Sequence, residues 1–330
     1  MITQTLKTVT LDNLHTLNGH KPNFTIMVPG NCNAKCGFCF WNHEDGKIVP
    51  PKNYLELLEE TLLTLPEDIF PAVSLTGGEP TISKYIGDIA KVVRETRKWS
   101  RIVLTSNGTK LGIAPTLGVT NVNLSRHHYN DADNNAIFKN KMIGTEDIQS
   151  LCTEMNITIN CVINDKTDKD FILRMVDFSI RVGAKALSFR REASNVDKTP
   201  IENEFINLFE VKSDNKCPVC RTTNQVIFGF PVAWKATHPE PSMFLGSLYE
   251  GIFHPDGKIY ADWKREMPID LISGKYVYNL MREKLKQVTL ENNRLKKSKE
   301  FKVHIPKEPR SYCGSSGCGA YSFGRTSCGS

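Results

Sequence analysis

Three cysteines within eight residues, Cys32, Cys36 and Cys39, constrain this chain more than any other stretch of its 330 residues. The spacing C-x3-C-x2-C puts three thiols on one tight loop, Cys32-Asn33-Ala34-Lys35-Cys36-Gly37-Phe38-Cys39-Phe40. Soft thiolates suit iron, and three of them can each take one iron of a cubane iron–sulfur cluster. The next cysteine is Cys152, so a cluster held here keeps one iron without a protein thiolate. Clusters that only carry electrons are usually closed by four cysteines. An open iron points instead to a small-molecule ligand and to catalysis. The same loop could hold zinc, and the cysteines alone leave both readings open.

The loop follows a strand. Asn23-Phe24-Thr25-Ile26-Met27-Val28 alternates and stops at Pro29-Gly30. Pro50-Pro51 opens a helical pattern through Tyr54, Leu58, Leu62 and Leu65. Strands are expected at residues 72–76, 101–105, 119–125, 157–163 and 185–190, with helical spacing at 82–99, 131–138, 145–155 and 168–182. Six such repeats between residues 22 and 195 argue a parallel α/β domain. The rhythm does not separate a barrel from a doubly wound open sheet.

The second strand runs into Thr76-Gly77-Gly78-Glu79-Pro80. Two glycines let backbone approach a ligand closely, and ligands of parallel sheets sit at C-terminal strand ends. With the cysteine loop, whose aromatic is Phe38, this turn resembles the radical S-adenosylmethionine (radical SAM) superfamily. The resemblance covers about half the chain and implies an α/β fold: a partial parallel (β/α)6 barrel over residues 20–195, with a small cysteine-containing C-terminal extension. It implies a [4Fe-4S] cluster on Cys32, Cys36 and Cys39, whose fourth iron binds the amino nitrogen and carboxylate of S-adenosyl-L-methionine. One electron would then cleave the sulfonium bond and release a 5′-deoxyadenosyl radical, which abstracts hydrogen from a substrate. It also implies cofactor contacts: Phe38 at the adenine, Gly77, Gly78 and Glu79 at the methionyl amino group, Ser125 at the ribose or carboxylate, and Arg190 at the carboxylate. Asn160 and Asn164, which flank the fifth strand, offer further polar groups in the same layer as candidate cofactor contacts. Glu79 would either carry an acceptor there or fix the loop. Alternation sets Arg190 and Arg191 on opposite faces.

Arg126-His127-His128-Tyr129 follows Ser125 at the expected ligand-binding rim. His127 and His128 could move a proton to or from a substrate, because histidine titrates near neutrality; they could equally anchor the loop. Asn107, in Ser106-Asn107-Gly108, reads as a turn residue or a ligand contact.

Outside the barrel, residues 1–19 read as an arm, 196–310 as the extension and 311–330 as a Gly/Ser/Cys-rich tail. The extension should hold a helix at 200–209, strands at 226–230 and 251–260 with a hairpin turn at Asp256-Gly257, and a long helix at 276–299. Cys217-Pro218-Val219-Cys220 is half a metal site. Cys313 and Cys318, or Cys318 and Cys328, could complete it as a second iron–sulfur cluster or a zinc site; otherwise the pair is free thiols. The extension is similar in style to those of auxiliary-cluster members such as the molybdopterin-precursor cyclase and the peptide-modifying enzymes, although the long gap between its cysteine pairs departs from them. The tail could fold over the barrel mouth, stay loose, or resemble a substrate.

Ten cysteines without a leader pattern at the N-terminus favour a reducing, cytoplasmic setting and metal ligation over disulfides. Cys152 and Cys161 sit in apolar runs and read as buried packing residues. The net charge of +6 gathers late, from Lys284 to Arg310, as a solvated face or a patch for phosphate or nucleic acid. No motif favours nucleic acid, and no apolar run suggests a membrane span. The resemblance implies an electron donor such as flavodoxin or ferredoxin, and a small-molecule, nucleotide or peptide substrate. The extension favours a cyclase- or maturase-like enzyme. A viperin-like enzyme acting on a nucleotide is the alternative: Cys36-Gly37-Phe38-Cys39-Phe40 is similar to viperin's loop, although Trp41 replaces its histidine. A non-catalytic metal-binding or electron-transfer protein is the rival from another class, and Gly77-Gly78-Glu79 counts against it.

Overall fold

Polar and apolar residues alternate along strand after strand, and the fold follows from that alternation. The computed structural model describes residues 9–10, 22–39, 48–65, 70–164, 167–192, 222–235, 243–244, 247–248, 250–265 and 269–270. Its centre is a ten-stranded sheet. The β/α rhythm supplies β1 (Asn23–Val28), β2 (Ala72–Gly77), β3 (Arg101–Ser106), β4 (Asn121–Ser125), β5 (Asn156–Ile163) and β6 (Ala186–Arg191). These lie side by side in chain order and all run parallel. The connections carry α1 (Tyr54–Thr64), α2 (Ile86–Thr96), α3 (Asp131–Phe138), α4 (Thr145–Glu154) and α5 (Lys169–Arg181).

Alternate residues of the strands form one apolar face: Phe24 and Ile26, Val73 and Leu75, Ile102 and Leu104, Val122 and Leu124, Ile157 and Ile159, Leu187 and Phe189. Helix residues such as Leu58, Leu62, Ile89, Val93, Ile172 and Val176 join them in a single core. Burying each such side chain contributes about 1.5–3 kcal/mol. The opposite face carries Asn23, Thr25, Ser74, Arg101, Thr105, Asn123, Thr158, Ser188 and Arg190. A doubly wound parallel sheet is apolar on both faces. Here one face meets helices and the other is polar, which is the arrangement of an open barrel with a lumen.

Four strands from the expected extension belong to the same sheet. β8 (Phe230–Lys235) pairs parallel with β6, and β7 (Thr223–Ile227) pairs antiparallel with β8. On the other edge β9 (Glu250–Phe253) pairs parallel with β1, and β10 (Ile259–Tyr260) turns back on β9. The Asp256-Gly257 turn is present, with His254 N donating to Lys258 O at 2.9 Å. Residues 226–230, expected as one strand, are instead the end of β7, a two-residue turn and the start of β8: Phe228 and Gly229 take φ of 52° and 76°. The apolar run concealed this turn. The helical stretch expected from residue 82 is also shorter, because Ser83 Oγ accepts from Tyr85 N at 3.2 Å and α2 starts only at Ile86. At the far N-terminal side, Val9–Thr10 pairs with Ile269–Asp270. The expected helices at 200–209 and 276–299, Cys217, Cys220, Cys313, Cys318, Cys328 and the tail lie outside the described residues. Among the described residues no helix is long and apolar enough to cross a membrane.

Candidate active site

The cysteine loop leaves the C-terminal end of β1 and is held against the turn that follows β2. A Cβ on Gly78 would stand 2.8 Å from the Asn31 carbonyl carbon and 2.9 Å from Cys32 N. One on Gly77 would stand 2.7 Å from Val28 O, and Gly77 takes φ +146°. Both positions therefore exclude a side chain. The sequence reading reserves this closeness for a ligand; in the structure the backbone approaching the two glycines is that of the cysteine loop itself. Glu79 N donates to Asn31 O at 3.2 Å, and Ser83 Oγ donates to Pro29 O.

The Glu79 carboxylate is buried. Its Oε1 accepts from Thr81 N (3.0 Å), Thr81 Oγ1 (2.6 Å) and Ser106 Oγ (2.8 Å), and its Oε2 from Asn107 N (2.6 Å). Burial pushes its pKa above the ordinary glutamate value, and the hydrogen bonds oppose that rise. Of its two expected roles, the geometry provides loop fixing, by tying the end of β2 to the end of β3.

Asn107 extends the same network to the cysteines, which the sequence did not reveal. Its Nδ2 donates to Asn33 Oδ1 at 2.9 Å and lies 3.9 Å from Cys32 Sγ. Its Oδ1 accepts from Thr109 N and Thr109 Oγ1 at 3.0 and 2.6 Å. The Ser-Asn-Gly turn signal placed Asn107 at a strand end, but nothing in the sequence indicated its neighbour. On the opposite side of the loop, Lys35 N donates to Phe138 O at 2.9 Å, where α3 ends with Lys139 in the left-handed conformation.

Cys32 and Cys36 are half-buried and Cys39 is exposed. Burial, then the neighbouring Cys39 and Cys32, pushes the Cys36 thiol up to about 12. Burial also raises the Cys32 thiol. Such thiols ionise when a metal takes them. Among the described residues no three His, Cys, Asp or Glu converge closely enough for a single metal ion. A cubane asks for something different, since it seats three thiolates on three irons. Ala34 N, 3.4 Å from Cys32 Sγ, and Asn107 Nδ2 are the N–H groups that such a thiolate accepts. The loop's donor set fits a cubane.

Beside the last cysteine turn is a cavity of about 400 Å³ lined by Phe38, His127, His128, Val162, Asn164 and Phe171, among others. Phe38 meets His127 edge-on at 4.8 Å, and His127 stacks on Phe138 at 4.9 Å. His127 Nδ1 accepts from Val162 N at 3.1 Å, which leaves its ring proton on Nε2. Burial, then Arg126, depresses its pKa to about 3. It is therefore neutral at neutral pH and serves as an aromatic wall and anchor. His128 is partly exposed and stacks on Tyr129 at 4.2 Å. Its Nδ1 accepts from Asn130 N at 3.0 Å and stands 3.5 Å from Asp133 Oδ2. Burial lowers its pKa and Asp133 opposes the fall. Arg126 is buried and fastens the segment: Nε donates to His128 O at 2.6 Å, and Nη2 pairs with Asp131 Oδ1 at 2.6 Å.

Ser125 and Asn160 face each other in register across β4 and β5, at the same rim and half-buried. Arg190 lies opposite Lys235 in register, and its charge reaches Glu250. It therefore points to the lumen, and Arg191 to the other face. Cys152 and Cys161 are buried, away from the loop.

The family model of the radical SAM superfamily matches residues 26–164. A GTP 3′,8-cyclase of Clostridium perfringens is 28% identical over 204 residues, covering 58% of this chain and 56% of the relative. An S-adenosylmethionine-dependent nucleotide dehydratase of Flammeovirga pacifica is 28% identical over 142 residues, covering 39% of this chain and 48% of the relative. The chain thus spans about half the length of each of these relatives. The crystal structure of Streptococcus suis SuiB bound to precursor peptide SuiA superposes with a TM-score of 0.52 at 17% identity, covering 74% of this chain and 60% of that one, a likeness of fold. The segment matched by the radical SAM superfamily model contains the cysteine loop, the glycine turn and the rim from Ser125 to Asn164, and over that segment the chain is similar to that superfamily.

Proposed function

We propose that this protein is a radical SAM enzyme that holds a [4Fe-4S] cluster on Cys32, Cys36 and Cys39 and abstracts hydrogen from a nucleotide. The cofactor part rests on one observation above all: the three-cysteine loop is seated directly on Gly77-Gly78-Glu79. When bound, the cluster supplies the electron that cleaves S-adenosylmethionine to methionine and the 5′-deoxyadenosyl radical. The protein's own residues position and enclose. Phe38, His127 and Val162 offer flat and aliphatic walls for an adenine, and Asn164 offers a polar edge. Glu79 fixes the turn whose backbone groups would meet the methionyl amino group. Ser125 and Asn160 would meet the ribose or carboxylate. His128, the partly exposed histidine of the pair, is the one suited to moving a proton. Arg190, expected at the carboxylate, stands with Lys235 and Glu250, and we assign it to the substrate side of the lumen.

The nucleotide reading is supported by the names of the two sequence relatives and by the polar lumen. It unites the cyclase-like and viperin-like readings of the sequence. The maturase reading has only a likeness of fold behind it. A flavodoxin or ferredoxin in the cytoplasm would supply the electron. Cys217, Cys220, Cys313 and Cys318 remain candidates for a second cluster or a zinc site, and metal analysis of a Cys32/Cys36/Cys39→Ala variant separates these.

The test is anaerobic incubation with dithionite, S-adenosylmethionine and each nucleoside triphosphate in deuterated form. Deuterium in 5′-deoxyadenosine with one nucleotide supports the reading. Cleavage that no nucleotide accelerates or labels contradicts the substrate class.

A further inference from the structure

The lumen floor has features that the radical chemistry does not use. Thr25 Oγ1 donates to Glu250 Oε1 at 2.6 Å, and Asn23 Nδ2 lies 3.3 Å from the same oxygen. This fixes a buried carboxylate where β1 and β9 begin. Barrel strands are staggered, so the late residues of β6 and β8 come level with these early ones. Arg190 and Lys235 accordingly lie within the electrostatic reach of Glu250, and Lys235 within that of Arg101 on β3. Three cations thus gather on the lumen face with one buried carboxylate. All three cations also engage protein groups, so what marks this part of the lumen is their common sign and the character of the other polar atoms on the same face.

Several of those atoms have no partner. Ser74 Oγ, Thr105 Oγ1 and Ser188 Oγ are buried without a hydrogen bond, and so are Asn23 Oδ1 and Asn224 Oδ1. Ser74, Ser188, Asn23 and Asn224 are each more than nine-tenths buried. Alternation sets them all on the lumen face; Asn224, for example, lies opposite Ala233, two residues before Lys235. Buried polar atoms are ordinarily satisfied. Three of the unsatisfied groups are hydroxyl donors on three strands of the lumen face, Ser74 on β2, Thr105 on β3 with Arg101, and Ser188 on β6 with Arg190. Donors and cations together are what phosphate oxygens take. The two amide oxygens ask for hydroxyl or N–H groups on the same ligand.

We propose that the lumen floor is an anchoring site for the phosphate end of a phosphorylated, hydroxyl-bearing substrate, with Arg101, Arg190 and Lys235 as its cations and Ser74, Thr105 and Ser188 as its hydroxyl donors. This deepens the nucleotide reading above and rests on it only for the identity of the rest of the molecule. Burial, then Arg190 and Arg101, lowers the pKa of Lys235. A phosphate among the three offsets that repulsion and keeps the ammonium charged. Glu250 limits the excess positive charge and, held by Thr25 and Asn23, keeps its carboxylate from swinging into the anion's place.

The probe is inorganic tripolyphosphate, titrated by calorimetry into the full chain with its cluster reconstituted, without S-adenosylmethionine, alongside GTP and guanosine. Tripolyphosphate and GTP should bind, and guanosine at least about tenfold more weakly. Lys235→Met should weaken tripolyphosphate about tenfold or more, whereas Glu250→Gln should tighten it. The opposite sign of the second variant keeps the test decisive where the first folds poorly. Wild-type binding no tighter than that of sulfate at equal ionic strength overturns the proposal, as does Glu250→Gln binding unchanged or weaker. Tripolyphosphate binding by a protein that releases no 5′-deoxyadenosine would overturn the radical reading and leave this site standing; release without binding does the reverse.

Discussion

Asn107 N donates to Glu79 Oε2 at 2.6 Å, joining the ends of two neighbouring strands directly beneath the cysteine loop. Through the Asn107 side chain this contact continues to Asn33 and Cys32. The loop's position therefore depends on a carboxylate that no ligand needs to touch.

Glu79→Gln tests that dependence. An amide turns an N–H toward one of the present donors and leaves a buried group unsatisfied. The expected cost is about 1–3 kcal/mol of stability, read as a lower urea midpoint, together with reduced iron retention. Full stability with full iron would show that the carboxylate is dispensable.

Gly78→Ala places a methyl group against Asn31 and Cys32 backbone, 2.8–2.9 Å away. Backbone cannot rotate aside as a side chain does, so the loop must shift. Iron per chain should fall well below wild type, with a stability cost of about 1–3 kcal/mol. The far-UV dichroism should be unchanged, because the sheet lies on the other side of the contact.

Asn107→Ala removes an N–H near Cys32 Sγ. Such donors favour the reduced, more negative cluster. The midpoint potential should fall, on the order of tens of millivolts, measured by redox titration of the reconstituted protein. An unchanged potential would place the donor out of reach of the sulfur.

His127 gives a pH dependence with a defined sign. Its pKa is about 3 in the folded protein against 6.5 as an isolated side chain, so between those values the unfolded chain binds the extra proton. Stability present above pH 6.5 is lost as pH falls toward 3, at up to about 1.4 kcal/mol per unit. His127→Asn, which retains an acceptor for Val162 N, should be less sensitive to acid between pH 6.5 and 5 in urea melts. An identical slope in both proteins would mean that other groups carry it.

The fold and the cysteine loop were legible because they rest on local pattern: strand alternation, Gly77-Gly78, and three thiols within a single turn. The lumen was half-legible. Asn23-Phe24-Thr25-Ile26 displays its two faces, but only the sheet shows that helices cover one face alone. Contacts that close over distance were not legible. Thr25 and Glu250 are separated by more than two hundred residues and meet only because β9 returns to the edge of β1. The histidine pair showed where to look but not what each does, because the difference between His127 and His128 is burial. The turn at Phe228-Gly229 was hidden because a non-glycine residue there takes positive φ.

The most direct measurement of the central claim is 5′-deoxyadenosine release from S-adenosylmethionine by the anaerobically reconstituted, dithionite-reduced protein, compared with its Cys32→Ala, Cys36→Ala and Cys39→Ala variants. The wild type should release it, and every variant should lose both release and the cluster's absorbance. Wild-type protein that holds its iron and releases no 5′-deoxyadenosine would contradict it.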